Sequence, residues 1–295
     1  MELNYRHSGA RRLDRTSTPE PYRRFEVRPL TTLIGAELAG ADLAAPLDDQ
    51  LRAELRRALL EWKVLFLRGQ ELDADQHLAV AGIWGEPEAN PFFPTGDQVA
   101  ISRLAKNSRV VGMENHWHSD HSFLAAPARG AVLRAIDVPP ASGDTMWADM
   151  AAAYDNLPEE VKALVDGLEA EHDWITTWGR AIPEEKRNAL REHMPPVIHP
   201  VVKIHPETGR RTLYVNEVFT MRILGLPEAE AARLLSYLQY QARTPEYQVR
   251  FRWQPGSVAI WDNWAVQHYA INDYFPNPRV MERVAIAGHG WSADR

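Results

Sequence analysis

Cysteine is absent from this chain of 295 residues. No disulfide framework, thiolate zinc site or cysteine nucleophile can therefore exist, and a metal would have to be held by imidazole and carboxylate groups. The setting this favours is the cytoplasm. Long apolar runs are also missing: no stretch approaches the roughly 20 residues of a membrane-spanning helix, and Arg11-Arg12 is not followed by the apolar segment of an export signal. No membrane partner is expected. Charge of one sign is nowhere concentrated, since a formal net charge of -7 is spread over interspersed acidic and basic residues. Such a surface carries no basic footprint for nucleic acid. Within the body there is no internal repeat, linker or low-complexity tract, so residues 23–295 read as a single domain. Residues 1–22, rich in Arg, Ser, Thr and Pro without hydrophobic periodicity, read as a disordered or loosely docked arm.

What the chain does contain is apolar residues at two periods. Residues 48–62 place Leu51, Leu55, Ala58, Leu59 and Trp62 at helical spacing, and Pro227 opens a helix with Ala231, Leu234, Leu235, Leu238 and Ala242 on one face. Asp73 and Gln76 form a capping-box signature for a helix running to about Trp84 and closed by Gly85, and residues 149–168 read as one further helix. Strands are predicted at 25–30, 33–38, 64–67, 130–138 and 144–148, then in the last third at 248–254, 257–262, 265–270 and 280–287. Pro206-Glu207-Thr208-Gly209 supplies turn chemistry for a hairpin between 198–204 and 211–215. Residues 174–196, with a charged helical piece around 184–193, are expected to form a mobile lid. The whole reads as a β-rich core with helices outside it.

The chemistry gathers in Asn115-His116-Trp117-His118-Ser119-Asp120-His121-Ser122-Phe123. On an extended segment His118 and Asp120 project to the same side, and one distant imidazole would complete the two-histidine, one-carboxylate set that holds non-haem Fe(II) with open positions. His268, on a predicted strand, can supply it. A lone His-x-Asp is usually accidental, so the flanking residues have to decide.

They do so as a set. Trp117-His118-Ser119-Asp120-x-Ser122-Phe123, Gly143-Asp144-Thr145-x-Trp147, Trp261-Asp262-Asn263, Gln267-His268-Tyr269-Ala270 and Arg279-x-x-x-Arg283 occur in this order. From about Phe25 to Gly288 the chain resembles the taurine dioxygenase (TauD/TfdA-like) family of Fe(II)/2-oxoglutarate-dependent dioxygenases. The resemblance implies a mainly β fold with outer helices (α+β), built on a double-stranded β-helix core of the jelly-roll, cupin-like kind. It implies His118, Asp120 and His268 as iron ligands, Thr145 with Arg279 on the distal carboxylate of 2-oxoglutarate, and Arg283 on an acidic group of the substrate. Cofactors are then Fe(II), 2-oxoglutarate as cosubstrate and O2, with succinate and CO2 released. An Asp ligand, where a small residue would leave room for halide, favours hydroxylation over halogenation. Family members are often dimers or tetramers, so a homo-oligomer is expected.

Two readings compete with a redox enzyme: a metal-binding cupin-like protein without redox chemistry, and a metal-dependent hydrolase using the same three ligands. Neither needs the dicarboxylate clamp that Thr145 and Arg279 would form. The substrate is expected to depart from taurine. Where taurine-oxidising members carry Gly-Glu-x-x-x-His-Pro-x-Tyr-Pro, this chain has Gly85-Glu86-Pro87-Glu88-Ala89-Asn90-Pro91-Phe92-Phe93-Pro94. Asn90 and Phe93 thus replace an imidazole and a phenol, which makes the pocket more apolar. Glu114 stands where those members have Asn, in reach of a substrate amine, and His121 is a further candidate for substrate contact. A small anionic organic substrate with a larger or more apolar body is expected: a sulfonate, an alkyl sulfate, a carboxylate or an amino-acid derivative.

Overall fold

The computed structural model describes residues 20–89, 92, 100–110, 112 and 114–289. Its largest sheet has eight strands, in the order Glu26–Pro29, Ala36–Ala39, Val64–Leu67, Val258–Asp262, Gly130–Asp137, Arg279–Ile286 and Pro87–Glu88, with Ile101–Lys106 also paired to Arg279–Ile286. Pairing is antiparallel except between Ala36–Ala39 and Val64–Leu67. A three-stranded sheet, Gln248–Phe251, Thr145–Asp149 and Val266–Ala270, faces it.

Period-two side chains decide which face meets which partner. Along Val64–Leu67 and Val258–Asp262, Val64, Phe66, Ala259 and Trp261 enter the core shared with the small sheet, while Leu65, Leu67, Val258 and Ile260 enter a second core. Phe66 stacks on Phe251 at 4.2 Å and meets Trp147 edge-on at 5.3 Å, which closes the two sheets on each other. The second core is covered by the expected helix stripe. Asp49–Trp62 buries Leu51, Leu55, Ala58, Leu59 and Trp62, and Asp48 caps it by accepting from the Leu51 amide.

Several expectations need correction. The capping box of Asp73 and Gln76 is present, yet the helix stops at Ala81, because the amides of Ile83 and Trp84 tighten onto the carbonyls of Val80 and Ala81. The single helix of 149–168 is two, Met150–Asp155 and Glu159–Val165. Pro158 separates them, since a proline disfavours helical backbone in the residue before it. A strand Glu169–His172 follows them; its buried alternate positions are Ala170 and His172, so no apolar pattern announces it. Strands Ile101–Lys106 and Thr220–Ile223 were likewise not anticipated. The hairpin forms as expected between Val202–Ile204 and Arg211–Leu213. The last three residues of the 1–22 arm are described, and Tyr22 is docked: it stacks on Phe25 and donates to Glu61 at 2.8 Å. In the expected lid, Glu184–His193 is helical, and Trp174, fully buried, donates from Nε1 to the Met194 carbonyl at 2.9 Å.

Candidate active site

His118 is not part of a regular strand but forms an isolated antiparallel bridge with His268. Each residue's amide donates to the other's carbonyl, at 3.0 and 2.8 Å, so the two imidazoles lie on one face with ring centroids 4.1 Å apart. Beyond Asp120 the chain turns instead of continuing extended, with His121 in left-handed backbone at φ 56°. The turn brings the carboxylate back over the histidine pair. Nε2 of His118 lies 3.9 Å from Asp120 Oδ1, and Nε2 of His268 lies 3.9 Å from Asp120 Oδ2.

Those separations are too long for hydrogen bonds but suit atoms held by one ion, with metal–ligand bonds of about 2.0–2.2 Å. The three candidate ligand atoms all lie within 4.8 Å of one another. Asp120 Oδ2 is buried with no hydrogen-bond partner among the described residues, as a ligand oxygen awaiting a cation would be. His118 Nδ1 lies 2.8 Å from the His116 carbonyl, which sets the tautomer and leaves Nε2 to bind a metal. Burial, with His118 beside it, pushes the His268 imidazole down to about 3, so it is neutral near pH 7. Burial would raise the Asp120 carboxyl, but Arg283 and the neighbouring imidazoles outweigh it and hold the group well below the usual carboxylate range. The donor set fits Fe(II).

Asn263 fixes the backbone that carries this carboxylate. Its Oδ1 accepts from the Asp120 amide at 2.8 Å, and its Nδ2 donates to the carbonyls of Asp120 and Ala128, each at 2.8 Å. The sequence triplet Trp261-Asp262-Asn263 flagged the position without revealing its partner.

A pocket runs from the histidines to Thr145, Tyr274, Arg279 and Arg283. Arg279 is buried, and its Nε donates to the Gly143 carbonyl at 3.2 Å. Gly143 has φ +69°, and a Cβ there would come within 2.9 Å of Arg279 Nε, so this glycine is required both by its backbone and by the close approach. Desolvation lowers the Arg279 pKa, a measure of how poorly water reaches its charge. Arg283, on the same face of the Arg279–Ile286 strand, donates from Nη1 to Asp120 Oδ1 at 2.9 Å. It therefore touches the metal-side carboxylate, a contact that the reading of Arg283 as a pure substrate anchor did not include. Glu114 lines the pocket and is paired with Lys106 at 2.7 Å. The buried His121 ring lies 3.5 Å from Glu88 and packs near Phe123 at 5.8 Å, and it is not on the wall of this pocket. Asn90 and Phe93 lie outside the described residues.

A family profile described as "Taurine catabolism dioxygenase TauD, TfdA family" matches residues 26–285. The chain belongs to this family. It is a 2-oxoglutarate-dependent non-haem iron dioxygenase, using Fe(II), 2-oxoglutarate and O2. It is 37% identical over 273 residues to an alpha-ketoglutarate-dependent sulfate ester dioxygenase of Pseudomonas putida, covering 90% of each chain. To an alpha-ketoglutarate-dependent 2,4-dichlorophenoxyacetate dioxygenase of Cupriavidus pinatubonensis it is 33% identical, over 81% of this chain and 90% of the other. The crystal structure of a taurine dioxygenase from Burkholderia xenovorans superposes with a TM-score of 0.79 at 36% identity, covering 90% of both chains. The mixed sheets with outer helices match that structure.

Proposed function

We propose that this dioxygenase oxidises a small anionic organic substrate bearing an apolar body, with an alkyl sulfate, a sulfonate or an aryloxy carboxylate as the leading classes. The carrying observation is one pocket with the His118, Asp120 and His268 donors at one end and Arg279 with Thr145 at the other. A dicarboxylic 2-oxo acid has matching ends. A guanidinium and a hydroxyl can hold its distal carboxylate, while the 2-oxo acid group reaches the metal position. The metal, when bound, supplies oxygen activation coupled to decarboxylation of the cosubstrate to succinate.

The protein's own residues do the positioning. Asn263 and the His118–His268 bridge hold the three ligands in place before any ligand arrives, and Arg279 and Thr145 fix the cosubstrate's far end. Arg283, beside Asp120, is assigned to the substrate anion, and Glu114, neutralised by Lys106, no longer calls for a substrate amine. Asn90 and Phe93 are assigned to the apolar part of the substrate pocket. Relatives that act on sulfate esters and dichlorophenoxyacetate are in keeping with this choice over a small zwitterion. We further read the two facing sheets as the double-stranded β-helix core, and the protein as a cytoplasmic homo-oligomer.

The test is succinate release dependent on Fe(II), O2 and 2-oxoglutarate, screened with alkyl sulfates, sulfonates, aryloxy acids and amino-acid derivatives. Stimulation by one or more of the anions is expected. Stimulation by neutral analogues alone would overturn the anionic assignment.

A further inference from the structure

The Thr145 hydroxyl has a partner that no sequence motif points to. Trp253 Nε1 lies 2.9 Å from Thr145 Oγ1, both residues are buried at 3% exposure, and Trp253 is not on the pocket wall. The contact follows from register. Thr145 stands opposite Phe251 on the neighbouring strand, and Trp253 lies two residues further along, on the same side of the chain. An aromatic column then fixes its ring: Phe251 meets it edge-on at 5.1 Å, and Trp147 lies at 6.4 Å.

The chemistry of the two groups settles the direction of the bond. An indole N–H can only donate, whereas a hydroxyl offers one hydrogen and two acceptor positions. Thr145 Oγ1 must therefore accept from Trp253, and its own hydrogen stays available. Among the described residues the hydroxyl has no other hydrogen-bond partner, and Thr145 lines the pocket beside Arg279. Among the described residues no acceptor is left for that hydrogen, which can therefore meet a group that enters the pocket.

We propose that Trp253 is a positioning residue for the cosubstrate: by occupying an acceptor position of Thr145 it makes the threonine an oriented donor to the distal carboxylate of 2-oxoglutarate. The inference rests on assigning Arg279 and Thr145 to that carboxylate. It adds a residue outside the pocket that sets how selectively the pocket takes a dicarboxylate over a monocarboxylic 2-oxo acid.

The experiment is a double-mutant cycle on 2-oxoglutarate binding, measured anaerobically by calorimetry with the Mn(II)-loaded protein. Trp253→Phe keeps a ring in the aromatic column and removes only the donor, and Thr145→Val removes the hydroxyl with little change of shape. Trp253→Phe should weaken 2-oxoglutarate about three- to tenfold, the size of one hydrogen bond. It should have no further effect once Thr145 is Val. Binding of 2-oxovalerate, which carries a methyl where 2-oxoglutarate carries its distal carboxylate, should be the same in wild type and Trp253→Phe. Additive effects in the cycle, or equal weakening of both 2-oxo acids, would reduce Trp253 to a packing residue and overturn the proposal. Benzothienylalanine at 253, with sulfur in place of N–H, repeats the test if Trp253→Phe fails to fold. Arg279→Ala in the same assay separates the two levels. Undiminished 2-oxoglutarate affinity there would sink the cosubstrate assignment itself, whereas loss there with wild-type affinity in Trp253→Phe would sink only the role of Trp253.

Discussion

Two pairs of histidines lie buried in this protein, and burial does not tell them apart. His118 and His268 are 8% and 7% exposed, while His172 and His199 are 0% and 4% exposed. The first pair turns its Nε2 atoms toward a shared carboxylate and borders a pocket. The second pair packs edge to face at 5.2 Å, with Tyr214 beside both rings. Its polar atoms meet neutral partners: His172 Nδ1 lies 3.2 Å from Ser122 Oγ, and His199 Nε2 lies 3.0 Å from the Leu124 carbonyl. Among the described residues no carboxylate pairs with either. A facing carboxylate and an open wall, not concealment, mark the chemical pair.

The largest effect should come from removing a member of the first pair. His118→Ala or His268→Ala is expected to abolish the visible charge-transfer band that Fe(II) and 2-oxoglutarate give anaerobically, whereas His172→Ala should retain it. Retention in either ligand variant would erase the distinction. A second test concerns the cations beside each pair, Arg279 on the pocket side and Lys203, which lies 3.7 Å over the Tyr214 ring. Arg279→Ala should weaken 2-oxoglutarate binding roughly thirtyfold or more, the cost of leaving a carboxylate without its charged partner. Lys203→Met should leave that affinity alone, and a matching loss in calorimetry would mean that the two regions are not separate.

His172→Ala should instead cost stability, about 2 kcal/mol from lost packing and hydrogen bonds, read by denaturant unfolding. An unchanged midpoint would show that the second pair is idle. The most gradual effect is one of pH. Burial pushes His199 down to about 3 and His77 down to about 4, so below about pH 6.5 the unfolded chain binds more protons than the folded one. Stability should therefore be flat above that pH and fall as pH drops from 6.5 toward 4, by at most about 1.4 kcal/mol per unit for each ring. His199→Leu should flatten the slope, and an equal slope in wild type and variant would refute the assignment to His199.

Residue chemistry made the ligands legible. With no cysteine available, a His-x-Asp pair and a later His on a strand left few ways to bind a redox metal, and the neighbouring motifs fixed the register. The strand Val258–Asp262 was legible because Ala259 and Trp261 alternate with Val258 and Ile260 between two apolar cores. Pairings were not legible. Asn263 clamping Asp120, Trp253 donating to Thr145 and Arg283 reaching Asp120 all join residues more than 100 positions apart, and composition and period carry no information about such contacts. Glu169–His172 was missed because alanine and histidine fill its buried positions, and the turn after Asp120 because Ser122 and Phe123 read as strand formers.

The reciprocal bridge between His118 and His268 ties metal binding to the correctness of folding. These residues lie 150 positions apart in the chain, yet each backbone hydrogen-bonds the other directly. Slipping the Val266–Ala270 segment by one residue would turn His268 to the opposite face and present Gln267 or Tyr269 instead. Misregistered chains would lack the third imidazole, and an ion would bind selectively to molecules whose last third is threaded correctly. A bound metal would thus favour the one arrangement that can also do the chemistry.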